Sequence, residues 1–333
     1  MKICTRCVLP ETFPGITFDE QGVCNFCRSF KPEKLEESKE KYRARFEELV
    51  AGRRRRGGYD AIMAYSGGKD STYTLMVLRR RFGLSILALT LDNGFISPAS
   101  IENMRNVVET LGVDHILYKP RFDLLRKLFR TAVTSQMYAP KTLERASTIC
   151  TSCMGVVKFV ILRMAIEGDI PFVAYGWSPG QAPIEASILK NNALMIRSMQ
   201  KALLEPMRAT AGPEIENYFL TETHFAATER FPYNVSPLAF LDYDEGRIIE
   251  EIKTLGWRKP EDTDPNSTNC LLNAFANSIH KKAWSFHPYA FELAKLVREN
   301  YMERSEALSR LETAEIPEIV ARVRSRLGIE SDD

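Results

Sequence analysis

The sequence predicts an α/β fold built on a parallel sheet, with a small cysteine-rich module before it and a helical region after it. Three observations carry this. From Tyr59 onward short apolar runs alternate with amphipathic segments, the pattern of strands joined by crossover helices. The first such unit is broken between strand and helix by Ser66-Gly67-Gly68-Lys69-Asp70-Ser71. Four cysteines, Cys4, Cys7, Cys24 and Cys27, fall within a turn-rich opening stretch too short to bury a core of its own.

The bulk properties are those of a globular chain: 333 residues, 44% apolar and 26% charged, enough for a main domain with smaller additions. A net charge of +2 with four histidines gives no general polyanion-binding signal. The run Arg53 to Arg56 reads as a solvated linker, with contact to a nucleic acid or an acidic partner as the alternative. Met1-Lys2-Ile3-Cys4 leads into turn residues and not into an apolar leader, and no 18-residue apolar run follows, so a cytoplasmic protein without membrane association is expected. In that compartment the three C-x-x-C pairs argue for metal before disulfide.

Taken in order, C-x2-C-x16-C-x2-C over residues 4–27 has the spacing of four thiolates closing around one tetrahedral ion. Structural zinc is the leading expectation, with iron–sulfur and redox-active pairs as alternatives, since four sulfurs do not distinguish zinc from iron. Residues 32–50 predict a linking helix with Leu35, Phe46, Leu49 and Val50 on one apolar face. These elements make up an expected module 1–50, ahead of a main domain 51–215 and a mainly helical region 216–333 that completes the active site.

Within the main domain, the apolar run from Tyr59 is the first strand, and Ser66 to Ser71 forms a tight loop before a helix reaching Arg81. Adjacent glycines permit backbone angles and close approaches that a side chain blocks, and the helix offers free N–H groups and the positive end of its dipole. Leu84 to Leu91 predicts the second strand, which places Asp92 and Asn93 at its carboxyl end, where open parallel sheets bind ligands. Asp92 reads equally as a ligand contact or a turn aspartate. Ser97 is a candidate cap for a helix over 99–111; 114–119 is a third strand; 122–137 is an amphipathic helix burying Leu124, Leu125, Leu128, Phe129 and Val133. Cys150 and Cys153 precede an apolar helix over 154–166, whose N-terminus should lower their pKa. Ile170 to Tyr175 is the fourth strand, and the loop from Gly176 should face the same sheet edge as Ser66 to Ser71; Ser178 and Gln181 there are acceptor contacts or simply the end of a strand.

Residues 184–230 read as mainly helical, divided at Pro206, Gly212 and Pro213, with an aromatic and proline segment at 231–237 and a helix near 246–255. The polar stretch Asp262 to Asn269 leads into the lone Cys270 and an apolar helix from Leu271, and such a loop can wrap a phosphate or cluster with backbone N–H groups. His115, His280 and His287 read as packing residues. After Pro288 the chain is helical, with breaks near Asn300 and Pro317.

The hexapeptide Ser66 to Ser71 is not the G-x-x-x-x-G-K-[ST] of ordinary nucleotide hydrolases. It matches the S-G-G-x-D-S signature and resembles the PP-loop of adenylating ATP pyrophosphatases, which implies a HUP-like parallel-sheet domain. The resemblance implies ATP and Mg2+, with contacts from Tyr65, Ser66, Gly67, Gly68, Lys69, Asp70 and Ser71 and from Asp92 and Gly176 at neighbouring strand ends. Lys69 offsets charge and Asp70 orders the loop or the metal. Transfer RNA thiolases that share this loop carry G-H-N-x-D-D near the fourth strand, where this chain has Gly176-Trp177-Ser178-Pro179-Gly180-Gln181; that departure weakens a transfer RNA acceptor.

Two further resemblances point to different transferred atoms. Cys4 to Cys27 matches C-x-x-C-V-x-P-x-T-x-P-G-I-x-F-x-x-x-G-V-C-x-x-C, and the helices from His287 are similar in closing pattern, so the chain resembles the N-acetyl sugar amidotransferases. That family implies conversion of an acetamido to an acetamidino group with ammonia from a glutaminase partner. Cys150, Cys153 and Cys270 resemble the three cysteines of iron–sulfur-dependent PP-loop thiolases, which implies a 4Fe-4S cluster with one open iron and a sulfur donor. Sulfur transfer is the leading expectation, since three separated thiols need a purpose that amidination does not supply. A disulfide relay through Cys150 and Cys153 with a persulfide on Cys270, and a non-catalytic ATP-binding protein, are the other readings. The acceptor is a small molecule or nucleoside, and family habit implies a homodimer.

Overall fold

The computed structural model describes residues 1–53, 57–313 and 316–329, so Arg54 to Arg56 of the basic run lie outside the described residues. Numbering the strands and the longer helices in chain order gives α1 (Pro32–Arg53), β1 (Ala61–Ala64), α2 (Lys69–Arg80), β2 (Ile86–Leu91), α3 (Pro98–Leu111), β3 (Asp114–Tyr118), α4 (Phe122–Thr134) and α5 (Thr148–Glu167). The chain continues through β4 (Phe172–Tyr175), β5 (Ile188–Lys190), α6 (Ala193–Ala211), β6 (Tyr233–Val235), α7 (Glu245–Lys253), α8 (Leu272–Trp284), α9 (Ala290–Arg298), α10 (Arg304–Glu312) and α11 (Pro317–Leu327). The sheet order is β3-β2-β1-β4-β6-β5, parallel except for β5 against β6. This is the α/β, mostly parallel sheet expected of a PP-loop domain, with an N-terminal cysteine cluster and a helical C-terminal region.

Strand periodicity decides which side each residue serves. Ala61 and Met63 of β1, with Phe172 and Ala174 of β4, face one core that includes Phe46 and Val50 of α1 and Leu75 of α2. Ile62, Val173 and Tyr175 face the other, with Leu125, Leu128 and Phe129 of α4 and Phe159 and Ile166 of α5. Both faces are thus covered, as a parallel sheet requires. β1 is central, and β2 and β4 flank it with their connections running in opposite senses. The crevice at its carboxyl end is therefore a switch point, and Ser66 to Ser71 sits in it.

Several local expectations change. β5 and β6 lie where the sequence predicts helix and irregular chain, because three-residue strands are too short to display a period. β6 also lies beyond residue 215, so the sheet draws on the region expected to be mainly helical. Pro206 does not divide its helix but lies inside α6, which ends at Gly212. Ser97 occupies the N-cap position of α3 yet donates its hydroxyl to Asp262 Oδ1 (2.7 Å). α5 is 20 residues long and apolar enough to match a membrane span by length and composition; its buried residues pack inside the core, as in the central helix of a folded domain.

Candidate functional site

The glycine loop is gripped from several sides. Gly67 turns at φ +74°, a conformation that demands glycine, and a Cβ there would also crowd Met104 and the Ser100 carbonyl (3.2 Å). Gly68 caps α2 without a side chain, leaving the first N–H groups of the helix to outside acceptors. Ser66 Oγ accepts from Gly68 N (3.3 Å) and lies 3.0 Å from Ser71 Oγ, which donates to Gly68 O. From elsewhere in the chain, Trp257 Nε1 donates to Gly67 O (2.9 Å) and Thr268 Oγ1 accepts from Lys69 N (3.1 Å). At the end of β4, a Cβ on Gly176 would lie 2.3 Å from Ser71 Cα. Gly176 therefore supports the loop by backbone contact. Tyr65 is buried beneath, its hydroxyl 3.3 Å from Thr72 Oγ1.

Lys69 does not point into solvent. Its ammonium donates to both Asp70 oxygens (3.0 and 2.9 Å) and to Tyr243 OH (2.9 Å), and lies 3.4 Å from Glu245 Oε2, which is paired in turn with Arg310. Burial pushes the Lys69 pKa down, but Asp70, Tyr243 and Glu245 outweigh it and hold the ammonium well above its ordinary range. Burial raises Glu245, whereas Lys69 and Arg310 bring it below the usual carboxylate value.

These groups form one wall of a small, partly open pocket that Gln181, Asn266, Tyr289 and Glu292 complete. Glu292, on α9, accepts from Ser178 Oγ (2.7 Å), and burial pushes its carboxyl up to about 7. Of Ser178 and Gln181, read from sequence as either contacts or a strand end, Gln181 lines the pocket and Ser178 holds Glu292 behind it; Ser178 N donates to Gln181 Oε1 (2.9 Å). Asp92 folds back on its own turn, accepting from Gly94 N (2.8 Å) with Lys119 Nζ 3.6 Å away.

Cys150, Cys153 and Cys270 gather around two amides. Asn93 Nδ2 lies 3.5 Å from Cys153 Sγ and 3.6 Å from Cys270 Sγ, while Asn273 Nδ2 lies 3.8 Å from Cys150 Sγ and 3.1 Å from Tyr289 OH. Tyr289 is also a pocket wall, so one chain of contacts joins the pocket to the thiols. The pair does not precede its helix: α5 begins at Thr148, and Ser147 Oγ caps it by accepting from Cys150 N (3.1 Å). Nor is their pKa lowered. Burial pushes Cys150 up to about 11 and Cys153 up to about 12, and raises Cys270, because the helix end cannot offset the loss of solvent.

The opening cysteines differ. Among the described residues, Cys4, Cys7, Cys24 and Cys27 are the one metal-competent set whose donor atoms all lie within 4.8 Å of one another. Cys4 Sγ to Cys27 Sγ is 3.9 Å and Cys7 Sγ to Cys24 Sγ is 3.7 Å. A tetrahedron with metal–sulfur bonds of about 2.3 Å has edges of about 3.8 Å, so the cluster can hold a metal ion without rearrangement. N–H groups of Cys7 and Cys24 point at Cys4 Sγ (3.5 and 3.2 Å), as thiolate ligands require. The three later cysteines are not a set of that kind. The histidines are packed: burial lowers His280 to about 4 and His287 to about 3, and His115 Nε2 meets Thr90 Oγ1 (2.8 Å).

Sequence reasoning placed Asn93 at the ligand-binding sheet edge and Thr268 in a phosphate-wrapping stretch, but passed over Asn273, Tyr243, Glu245, Glu292 and Arg310. Two had a visible signal: Asn273 interrupts the apolar start of α8, and Glu292 interrupts the apolar face of α9.

No family model matches the chain. An uncharacterized protein of Methanocaldococcus jannaschii is 23% identical over 98% of this chain and 99% of its own length. The argininosuccinate synthase of Dictyoglomus thermophilum is 21% identical over 60% of this chain and 48% of its own, so the chain spans about half of that relative. Solved structures with similarity include the U34-tRNA thiolase NcsA from Methanococcus maripaludis with its 4Fe-4S cluster, at 17% identity, 99% coverage of both chains and a TM-score of 0.37. NMN synthetase from Francisella tularensis has 13% identity, covers 92% of this chain and 99% of its own, and has a TM-score of 0.38. With similarities this remote, the chemistry must be argued from the site itself.

Proposed function

We propose that the chain is an ATP-dependent enzyme that adenylates an acceptor oxygen, releases pyrophosphate, and then replaces AMP with sulfur delivered at Cys150, Cys153 and Cys270. The observation that carries this is the segment 262–270. Thr268 touches the first free N–H of the glycine loop, and Cys270, two residues on, meets Asn93 beside Cys153. Phosphate chemistry and thiol chemistry are thus tied by one short length of chain.

In this reading Ser66, Gly67, Gly68 and Ser71 hold the phosphates, and Lys69 and Arg310 offset their charge. A divalent cation arriving with ATP takes the Asp70 carboxylate. The acceptor occupies the pocket walled by Tyr243, Tyr289 and Glu292. The three thiols are protonated by burial and are poor nucleophiles on their own. The three thiols are not within single-ion reach of one another; a 4Fe-4S centre held by them would supply sulfide at its open iron. Cys4, Cys7, Cys24 and Cys27 hold zinc.

A specific observation favours a second reading, amidination with ammonia from a glutaminase subunit. A pocket carboxyl that titrates near neutrality, Glu292, can take the proton that ammonia sheds once it has added to the activated carbon. Anaerobic purification with iron, labile-sulfide and zinc analysis separates the two. About four irons beside one zinc, with the irons lost in Cys270→Ala, are expected. Zinc alone, unchanged in that variant, would overturn sulfur transfer and favour amidination.

A further inference from the structure

The four-cysteine cluster is far from the glycine loop in sequence, but it is not an isolated appendage. Arg304, at the start of α10, spreads its guanidinium across the first C-x-x-C: Nε donates to Cys7 O (3.0 Å) and Nη2 to Cys4 O (3.0 Å). Arg298, the last residue of α9, places Nη1 3.8 Å from Cys7 Sγ and its guanidinium 5.9 Å from the rings of both Phe26 and Phe291. Phe13, within the cysteine module, stacks on Phe291 (5.4 Å between centroids).

α9 therefore has two working faces. Phe291 and Arg298, seven residues apart, lie against the cysteine module, while Glu292 and Leu296, four apart, line the pocket beside Lys69. We infer that Arg298 and Arg304 are positioning residues of the metal site, and that metal binding at Cys4, Cys7, Cys24 and Cys27 and seating of Glu292 in the pocket are one coupled event. The inference rests on the reading that the cluster holds a metal ion.

The physics runs in both directions. Four thiolates around a dication leave two net negative charges, which the Arg298 guanidinium offsets where Cys7 meets it. Arg304 fixes the two carbonyls that set the first knuckle. Without the metal a segment of this size has too little core to stay folded, and α9 loses the surface it lies on. By linkage, the factor by which bound metal favours the seated α9 is the factor by which a seated α9 favours metal binding.

The test uses the zinc-loaded full chain and a chromogenic chelator. Arg298→Ala and Arg304→Ala should release zinc about 10- to 100-fold faster than the wild type, with Arg304→Lys between them and the exposed Arg6→Ala unchanged. With cobalt in place of zinc, Arg298→Ala should shift the sulfur-to-cobalt absorption and Arg6→Ala should not. Removing zinc from the wild-type chain should raise hydrogen exchange across residues 286–301. Unchanged release in both arginine variants, or unchanged exchange after verified zinc loss, would overturn the coupling while leaving a metal site. A chain that never takes up metal at the cluster would overturn the coupling and the metal reading together.

Discussion

The two cysteine groups differ in what surrounds the sulfur. Cys4, Cys7, Cys24 and Cys27 face one another at tetrahedral edge lengths, receive backbone N–H groups and an arginine, and are fully buried. Cys150, Cys153 and Cys270 come from two distant elements, meet side-chain amides of Asn93 and Asn273 and not one another, and border a polar pocket through Tyr289. The first arrangement offers four donors to a single ion and leaves no open position. The second is linked through Asn273 to Tyr289 on the pocket wall. The difference teaches that thiol count is a weaker guide to chemistry than the partners each thiol is given.

The comparison can be broken most severely at the cluster. Cys24→Ala removes one of four ligands from a module with few apolar residues of its own, Val8, Leu9, Phe13 and Val23, so zinc content should fall from about one to none and the opening residues should become protease-sensitive; binding free energies of structural zinc are on the order of 10 kcal/mol. Cys153→Ala should leave zinc and the melting temperature nearly unchanged while abolishing any iron. Equal losses in both variants would erase the distinction.

A second perturbation addresses the pocket. Glu292 titrates near 7 when folded, against an ordinary value of 4.5, because burial disfavours its charge; Ser178 opposes the shift, as does Lys69, while Asp70 and Glu245 add to it. The folded chain thus holds an extra proton between these values. The stability contributed by this group is full below about pH 4.5 and is lost as pH rises through 7, an effect of roughly 3 kcal/mol. Glu292→Gln should therefore gain stability over the wild type at pH 8 relative to pH 5, which denaturant titration at the two values measures. A wild-type difference that persists unchanged in the variant would remove Glu292 from the pH response.

Smaller effects are expected at the loop's supports. Gly176→Ala must push the Ser71 backbone, at a cost of about 1–3 kcal/mol and with a weakened affinity for pyrophosphate measured by calorimetry. Asn93→Ala should cost about 1 kcal/mol in stability while changing the alkylation rates of Cys153 and Cys270 together and leaving Cys4 unreactive.

Much of this was legible in the sequence. Strands β1 to β4 carry strong local periods, the glycine loop is fixed by its own backbone demands, and the C-x2-C pairs announce themselves by spacing. What was not legible depends on long-range closure. β5 and β6 are three residues each and exist only because β4 offers an edge. Tyr243 and Glu245 come to Lys69 across more than 170 positions, and no local pattern marks them. The pKa expectation for Cys150 and Cys153 failed for a related reason: a helix end is visible in sequence, whereas the burial that outweighs it, with Cys270 adding its own charge, comes from tertiary packing.

One contact gives the molecule an optical handle. Trp257 is buried with its indole N–H on the Gly67 carbonyl, so the electronic environment of that ring follows the geometry of the loop. Its emission should respond when pyrophosphate or ATP enters, and replacing Trp177 and Trp284 with phenylalanine would isolate that signal from the other two indoles. The occupancy of the glycine loop can then be followed by fluorescence titration before any acceptor is identified.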